Sequence, residues 1–449
     1  MTTDVRDYCP WLVRADGIEG VYRNITHPLQ EAIGVIEDNG VLVDKDKLLF
    51  LSTVYGEKIE EQQQDFWEKA GVMVEVSKPQ QLQKLLYEDL KLPVIKTTKK
   101  GAPSTAIGTL ERLAPYHECV PVLIELKRSI QIKKNFLTGM PGGKSKGLLP
   151  FIDDDGRIRT NYRVDGTDSG RLSSFNPNTQ NIARNKDIRS MFIPREGYAM
   201  IEADYSQLEL RIISILADDP IMKEGFRRGD LHKATAMKIF NVIEEEVTKA
   251  QRDTAKTINF GIAYGMAAMA LSFRLGISVE EAEDYIDMWF RVHREVNRWM
   301  RMIRASTLRD GYQDNVFGRR RHLSALKVGQ QPTYDPKWFG KKGHLLRVSV
   351  NFPIQSTGSD LLSLSTSSLI SYPLNDFVHT GAIPIMSLHD ALYFEAPIET
   401  AKDAAAIIKE TMEAIPFLLL GEDWLLPADV KIGMYWGDTS ISHPKTDEE

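Results

Sequence analysis

The sequence predicts an α+β protein in which one sheet is assembled from two distant segments, with a helical insertion between them. Three observations carry this. "GYAMIEADYSQLELRIISILADDP", residues 197–220, is a short apolar strand running into a helix on which Leu208, Ile212, Ile215 and Leu216 share a face. From Pro220 to about residue 350 the pattern is charged and helical. Over the last 70 residues it returns to strand, hairpin, helix ("ETAKDAAAIIKETMEA") and strand ("ADVKIGMYWG"). If both strand-bearing segments share a sheet, the acidic strand end at 202–204 and the hairpin tip at 390 become neighbours.

The remaining elements follow in order. Residues 27–90 read as helical: "HPLQEAIGVIEDNG" stops at a glycine, and "PQQLQKLLYEDLKL" sets Leu82, Leu85, Leu86 and Leu90 on one face. The Gly/Pro/Lys-rich stretches 96–105 and 138–150 read as loops, and from 151 the pattern turns to strand and turn. No repeat or long low-complexity tract interrupts the chain. At 449 residues, 42% hydrophobic and 26% charged, it suits roughly two to four globular domains. The two cysteines, Cys9 and Cys119, and a start without a leader pattern imply a reducing, cytoplasmic setting. No apolar run is long enough to span a membrane.

The net charge of -6 hides an uneven distribution. Residues 126–152 carry six basic residues (Lys127, Arg128, Lys133, Lys134, Lys144, Lys146) and no acid; "KLPVIKTTKKGAPS" carries four more, among them Lys96, Lys99 and Lys100. "GRRRHLSALKVGQQPTYDPKWFGKKGHLLR" has eight Lys/Arg and one Asp. Three such blocks point to a polyanion, most simply a phosphate backbone.

Two carboxylates then stand out. Asp204 sits where strand gives way to helix, and Asp390 at the tip of "IPIMSLHDALYFEAP". Paired carboxylates suit hard divalent cations, and Mg2+ typically uses one or two of them together with phosphates and water. Arg252, Lys256, Phe260 and Tyr264 recur every four residues and form one helical stripe about 18 Å long, two cations followed by two aromatics. That stripe suits an extended ligand with a polyphosphate end and a flat ring end. Each feature also has a plain reading: Asp390 as a turn former, Asp204 as a helix cap, the stripe as solvated cations beside core aromatics.

Together these residues carry a resemblance. "DYSQLELR", the R-x3-K-x7-YG pattern from Arg252 to Gly265, and "LHDALYFE" resemble, in order, the first palm, fingers-helix and second palm motifs of the DNA polymerase I family (family A). "DSGRLSSFNPNTQNIA", "GDLHKATA", "VFGRRRHL" and "NFPIQSTGSD" extend the likeness, which covers about residues 28–440. It implies a right-hand polymerase core: thumb 1–150, palm 151–217 and 341–449 with an antiparallel sheet, fingers 218–340. The implied activity is template-directed addition of deoxynucleotides to a primer 3'-OH by a two-metal mechanism, with two Mg2+ ions for which Mn2+ substitutes. Asp204 and Asp390 would hold the ions, with the Tyr205 carbonyl. Arg252, Lys256 and His232 would hold the triphosphate, and Lys256 would protonate the leaving pyrophosphate. Phe260, Tyr264 and Gln207 would line the nucleotide pocket, and Glu209 would exclude a ribose 2'-OH. Arg171, Asn181, Asn351, Gln355 and His389 would touch the minor groove and primer end, and Arg347 the template. Lys96, Lys99, Lys100, Lys133 and Lys134 would grip duplex phosphates.

Departures from the family pattern sharpen the expectations. Many members carry a second carboxylate just after the motif Asp, where this chain has Ala391; the consequence expected is weaker metal binding or slower chemistry. No nuclease carboxylate cluster precedes the thumb and no long thumb insertion is seen, so proofreading or processivity would come from another chain and synthesis would be distributive. Phe260 implies poor use of dideoxynucleotides. RNA-templated synthesis and a catalytically silent DNA-binding replisome component remain the alternatives.

Overall fold

The computed structural model describes residues 17–98, 100–140, 147–182, 185–329 and 338–441. Lys99, Lys144, Lys146 and Cys9, singled out above, lie outside them. The chain forms two compact units: one takes in the described residues of Met1–Gly40, Thr160–Gln180 and Pro194–Glu449, the other Val41–Arg159 and Asn181–Ile193.

The first unit is organised by a four-stranded antiparallel sheet covered on one face by helices. Among its elements are α1 (His27–Asn39), β1 (Tyr198–Tyr205), α2 (Leu208–Leu216), α3 (Leu231–Phe240), α4 (Lys249–Ala263), α5 (Val279–Val292), α6 (Trp338–Ile370), β2 (Ile383–Leu388), β3 (Ala391–Pro397), α7 (Ala401–Leu420) and β4 (Ala428–Gly433). Strand order is β4-β1-β3-β2, so β1 joins three strands that follow it by about 180 residues or more. The sheet spans the two sequence segments with the helical insertion between them, as the hydrophobic pattern predicts.

Alternation along β1 decides which side chains meet the helices. Ala199, Ile201, Ala203 and Tyr205 are buried, and the Tyr205 hydroxyl reaches the Ser365 hydroxyl on α6 (2.9 Å) and the Met412 carbonyl on α7 (2.7 Å). Glu202 and Asp204 therefore occupy the opposite face. In the register, Asp204 lies directly across from Ala391 on one side and Asp429 on the other.

The 33-residue α6 is Ser/Thr-rich and apolar without a one-sided stripe, because it is buried through most of its second half. Ser363, Ser365, Thr366 and Ser367 satisfy their hydroxyls on carbonyls four residues back. Close packing sets Gly358, since a Cβ there would come within 2.9 Å of Leu208 on α2. In the insertion, Asp230 caps α3, a Thr248–Gln251 capping box opens α4 and a Ser278–Glu281 box opens α5. One continuous core runs from Ile201 and Phe394 in the sheet to Ile258, Leu271 and Trp289 in the insertion.

The second unit has its own core. Helices Lys45–Ala70 and Cys119–Phe136 enclose Phe66, Leu82, Leu85, Leu86, Leu110 and Leu123, so the leucine face read from the sequence is buried, with Leu90 packed at its margin. Val41–Val43, between two of the predicted helices, is a strand instead, pairing with Arg157–Ile158 and Phe192–Ile193. Three residues are too few to show a period, so only the distant partners define them. Among the described residues no helix is long and apolar enough to cross a membrane.

Candidate functional site

The open end of the sheet gathers the carboxylates. β2 and β3 are joined by the two residues His389 and Asp390, and His389 adopts φ 55°, the left-handed conformation such tight hairpins require. Gln180 holds the tip in place: its Oε1 accepts from the His389 N–H (3.0 Å) and its Nε2 donates to the Ser387 carbonyl (3.0 Å). The Tyr162 hydroxyl donates to the same carbonyl at 3.0 Å. The Asp390 carbonyl accepts from the Tyr205 N–H at 3.5 Å, which brings the tip against the end of β1. Asp204 and Asp390 thus share one corner.

Their electrostatics are those of crowded anions. Burial pushes the Asp204 carboxyl up to about 6; Asp390, Glu202 and Asp429 push the same way and Lys431 opposes them. Arg171 is the cation within reach, with its Nη2 at 2.7 Å from Glu209 Oε1 and 3.4 Å from Asp390 Oδ1. Glu209, on the first turn of α2, is 7% exposed; burial pushes its carboxyl up to about 7, with Arg171 opposing and Asp390 adding. Among the described residues its Oε2 is buried without a partner, as is Oε1 of Gln207, the left-handed residue (φ 50°) that opens α2. Among the described residues no three His, Cys, Asp or Glu side chains form a ready metal cage. Two carboxylates repelling each other, with nearby buried oxygens unsatisfied, fit a divalent cation that completes its shell from substrate and water.

The stripe on α4 is built as its spacing predicts. Arg252 Nε is anchored to Asp230 Oδ2 at 2.6 Å, and Lys256 is exposed with no ion pair among the described residues. His232 is 3% exposed, with its ring centroid 5.6 Å from that of Phe260. Tyr264 is exposed at the end of α4, and Glu209, Tyr264, Asn351, Ile354 and Gln355 line one cleft. The Asn351 amide donates to the Tyr264 carbonyl at 3.3 Å. Gly265 follows with φ +71°, and a Cβ on it would lie 3.1 Å from the Arg347 side chain, which explains glycine in the Y-G pair.

The first unit thereby brings together Asp204, Tyr205, Asp390, Arg171 and Glu209, and separately groups Arg252, His232 and Phe260, and Tyr264, Asn351, Gln355 and Arg347. Asn181, Lys96, Lys100, Lys133 and Lys134 belong to the second unit. There Lys96, Lys100 and Lys134 are exposed, whereas the Lys133 ammonium donates to the Ser52 carbonyl at 2.9 Å. Sequence reasoning did not single out Asp230 or Asp429. Asp230 carries a signal, an Asp placed just before an amphipathic run as helix caps are. Asp429 carries none, because only the β1–β4 register sets it beside Asp204.

Comparison with known proteins gives one consistent result. The family model described as DNA polymerase family A matches residues 45–438. DNA polymerase I of Deinococcus radiodurans is 33% identical over 430 residues, covering 94% of this chain and 43% of that protein. The thermostable DNA polymerase I of Thermus aquaticus is 33% identical over 419 residues, covering 90% and 48%. The chain spans less than half the length of these relatives. The POL domain of Pol1 from M. smegmatis, solved in complex with DNA primer-template and dNTP, superposes with a TM-score of 0.81 at 27% identity, covering 94% of this chain and 72% of that one.

Proposed function

The chain belongs to DNA polymerase family A and has its palm, fingers and thumb fold, and on that premise we propose that it is a DNA-templated DNA polymerase. It adds deoxynucleotides to a primer 3'-OH and releases pyrophosphate. The observation that carries this reading is the pairing of Asp204 and Asp390 at the sheet's open end, with the Arg171–Glu209 pair beside them. We assign the thumb to residues 1–150, the palm to 151–217 and 341–449, and the fingers to 218–340.

Asp204 and Asp390, with the Tyr205 carbonyl, would hold Mg2+ or Mn2+. When bound, two such ions acidify the attacking hydroxyl and stabilise charge on the leaving oxygen. The chain's own groups do the rest. Arg252, kept in place by Asp230, and the exposed Lys256 hold the triphosphate, and Lys256 carries a proton for the departing pyrophosphate. His232 adds a hydrogen bond to the same phosphates. Phe260, Tyr264 and Gln207 bound the sugar and base. Glu209 fills the space of a 2'-OH, so a ribonucleotide meets a buried side chain clamped by Arg171. Arg171, Asn181, Asn351, Gln355 and His389 contact the minor groove and primer end, where acceptors look nearly alike for every base pair and shape is checked without sequence. Arg347 contacts the template, and Lys96, Lys99, Lys100, Lys133 and Lys134 grip duplex phosphates in a salt-sensitive way.

The test is extension of a primed DNA template with Mg2+, comparing deoxy- and ribonucleotides, for the parent and Asp204→Asn. Deoxynucleotide extension that Asp204→Asn abolishes while primer-template binding persists supports the enzyme. A parent protein that binds primer-template but extends it with neither Mg2+ nor Mn2+ overturns it in favour of a silent DNA-binding component, the reading that Ala391 invites. An RNA template in the same assay separates the third alternative.

A further inference from the structure

Behind His232 lies a chain of buried hydrogen bonds whose directions can be derived without seeing a proton. Trp289 on α5 reaches Asn259 on α4, with indole Nε1 at 2.7 Å from Asn259 Oδ1. An indole N–H only donates, so the oxygen of Asn259 must face Trp289. The amide nitrogen then points the other way, at 3.1 Å from His232 Nδ1 and 3.1 Å from Thr235 Oγ1. Thr235 spends its own hydrogen on the Leu231 carbonyl at 2.9 Å, leaving its oxygen free to accept. Both N–H groups of Asn259 are therefore donated, and His232 Nδ1 must be an acceptor. An imidazole that accepts at Nδ1 keeps its single proton on Nε2. Asn259 and Thr235 are 0% exposed and Trp289 is also 0% exposed, so no water can substitute for any member.

We propose that Trp289 and Asn259 lock His232 as a neutral imidazole with its proton on Nε2, so that it offers a nucleotide phosphate a fixed hydrogen-bond donor and not a titrating cation. The role toward phosphate rests on the function proposed above; the lock does not. Protonating Nδ1 would set two donors against each other inside a dry core, and the only relief, turning the Asn259 amide, would confront the Trp289 N–H with another donor. The charged groups around the ring act in both directions. Asp230, at the start of the same helix, favours the imidazolium, and Arg252 and Lys256 on α4 disfavour it. Burial is the largest influence and the balance lowers the group to about 4. Asn259 and Trp289 are thus positioning residues: they touch no substrate, and they set what His232 can donate.

Protein with 15N-labelled histidine tests this by two-bond 1H–15N correlation, which distinguishes the two neutral tautomers, with His232→Gln used to assign the signal. The expected result is an Nε2–H pattern that persists down to pH 6 and titrates below pH 5. An Nδ1–H pattern, or a midpoint above pH 6, overturns the lock. Asn259→Asp keeps an acceptor for Trp289 but offers Nδ1 a carboxylate. It should raise the midpoint by at least about 2 pH units and give the nucleotide KM a titration between pH 6 and 8 that the parent lacks. An unchanged midpoint in a folded Asn259→Asp protein also counts against the lock. Trp289→Phe frees the amide to turn, and the Nε2–H pattern should give way to a mixture. If these tautomer results hold while His232→Gln leaves the nucleotide KM unchanged, the lock stands and the placement of His232 at the triphosphate is what fails.

Discussion

Replacing Glu209 by glutamine should flatten the pH dependence of stability in the metal-free protein. The carboxyl is 7% exposed, and among the described residues only one of its oxygens has a partner, Arg171 at 2.7 Å. Burial raises it from an ordinary 4.5 to about 7, with Arg171 opposing and Asp390 reinforcing. The folded state therefore holds this proton more tightly than the unfolded chain does. The stability it contributes is complete below pH 4.5 and is lost as pH rises through 7. A gap of about 2.5 pH units corresponds to on the order of 3 kcal/mol at about 1.4 kcal/mol each. Glutamine has a similar shape and cannot ionise, so the variant should gain on the parent by that amount between pH 5 and pH 8. Urea denaturation in EDTA at unit intervals of pH measures the difference directly. Parallel curves, agreeing within about 0.5 kcal/mol over that range, would refute the claim that Glu209 is buried with one oxygen unpaired.

Three further outcomes follow from the same geometry. Because Asp204 is raised to about 6 by burial and its acidic neighbours, protons compete with metal there: Mn2+ affinity, read by electron paramagnetic resonance, should fall steadily below pH 6, up to about tenfold per pH unit, and a flat profile from pH 7 to 5 would contradict this. Glu209→Ala opens the space beside the cleft, so ribonucleotide use relative to deoxynucleotide in primer extension should rise by roughly 10- to 200-fold; unchanged selectivity would remove Glu209 from the gate. Arg319→Leu leaves Asp360, 0% exposed and paired to Arg319 at 2.7 Å, with Asn315 as its remaining side-chain partner among the described residues, and should cost about 3–5 kcal/mol in denaturation, whereas a loss under about 1 kcal/mol would show the pair to be dispensable.

Local patterns in the sequence survive into the structure wherever one element decides them. The strand-to-helix passage around Asp204, the hairpin tip at Asp390 and the four-residue stripe from Arg252 to Tyr264 each depend on a single period, and each is found. What escapes is set by pairing across long separations. α6 shows no one-sided apolar stripe because its buried half has no solvent side to mark with polar residues. The Arg319–Asp360 pair and the Trp289–Asn259–His232 chain join residues 41 and 27–30 positions apart. Nothing in a window of one helix or strand distinguishes those residues from surface ones. Val41–Val43 is a strand only because residues more than 100 positions later pair with it.

Ala391 shows the same division most plainly. Read along the chain, it is a missing carboxylate after Asp390. Read across the sheet, it sits directly opposite Asp204, 5% exposed, while Asp429 occupies the matching position on Asp204's other flank. Asp204 already feels Asp390, Glu202 and Asp429 with only Lys431 opposing among the named charges. A further carboxylate at 391 would add an anion about 5 Å away on the same face, raising Asp204 again whenever no cation is bound. The alanine therefore lowers the electrostatic cost of the unliganded corner and leaves the two carboxylates that a divalent cation needs. Whether an anion at position 391 helps or hinders is decided by the register that surrounds Asp204 with charge, and that register is a property of four paired strands and not of the motif.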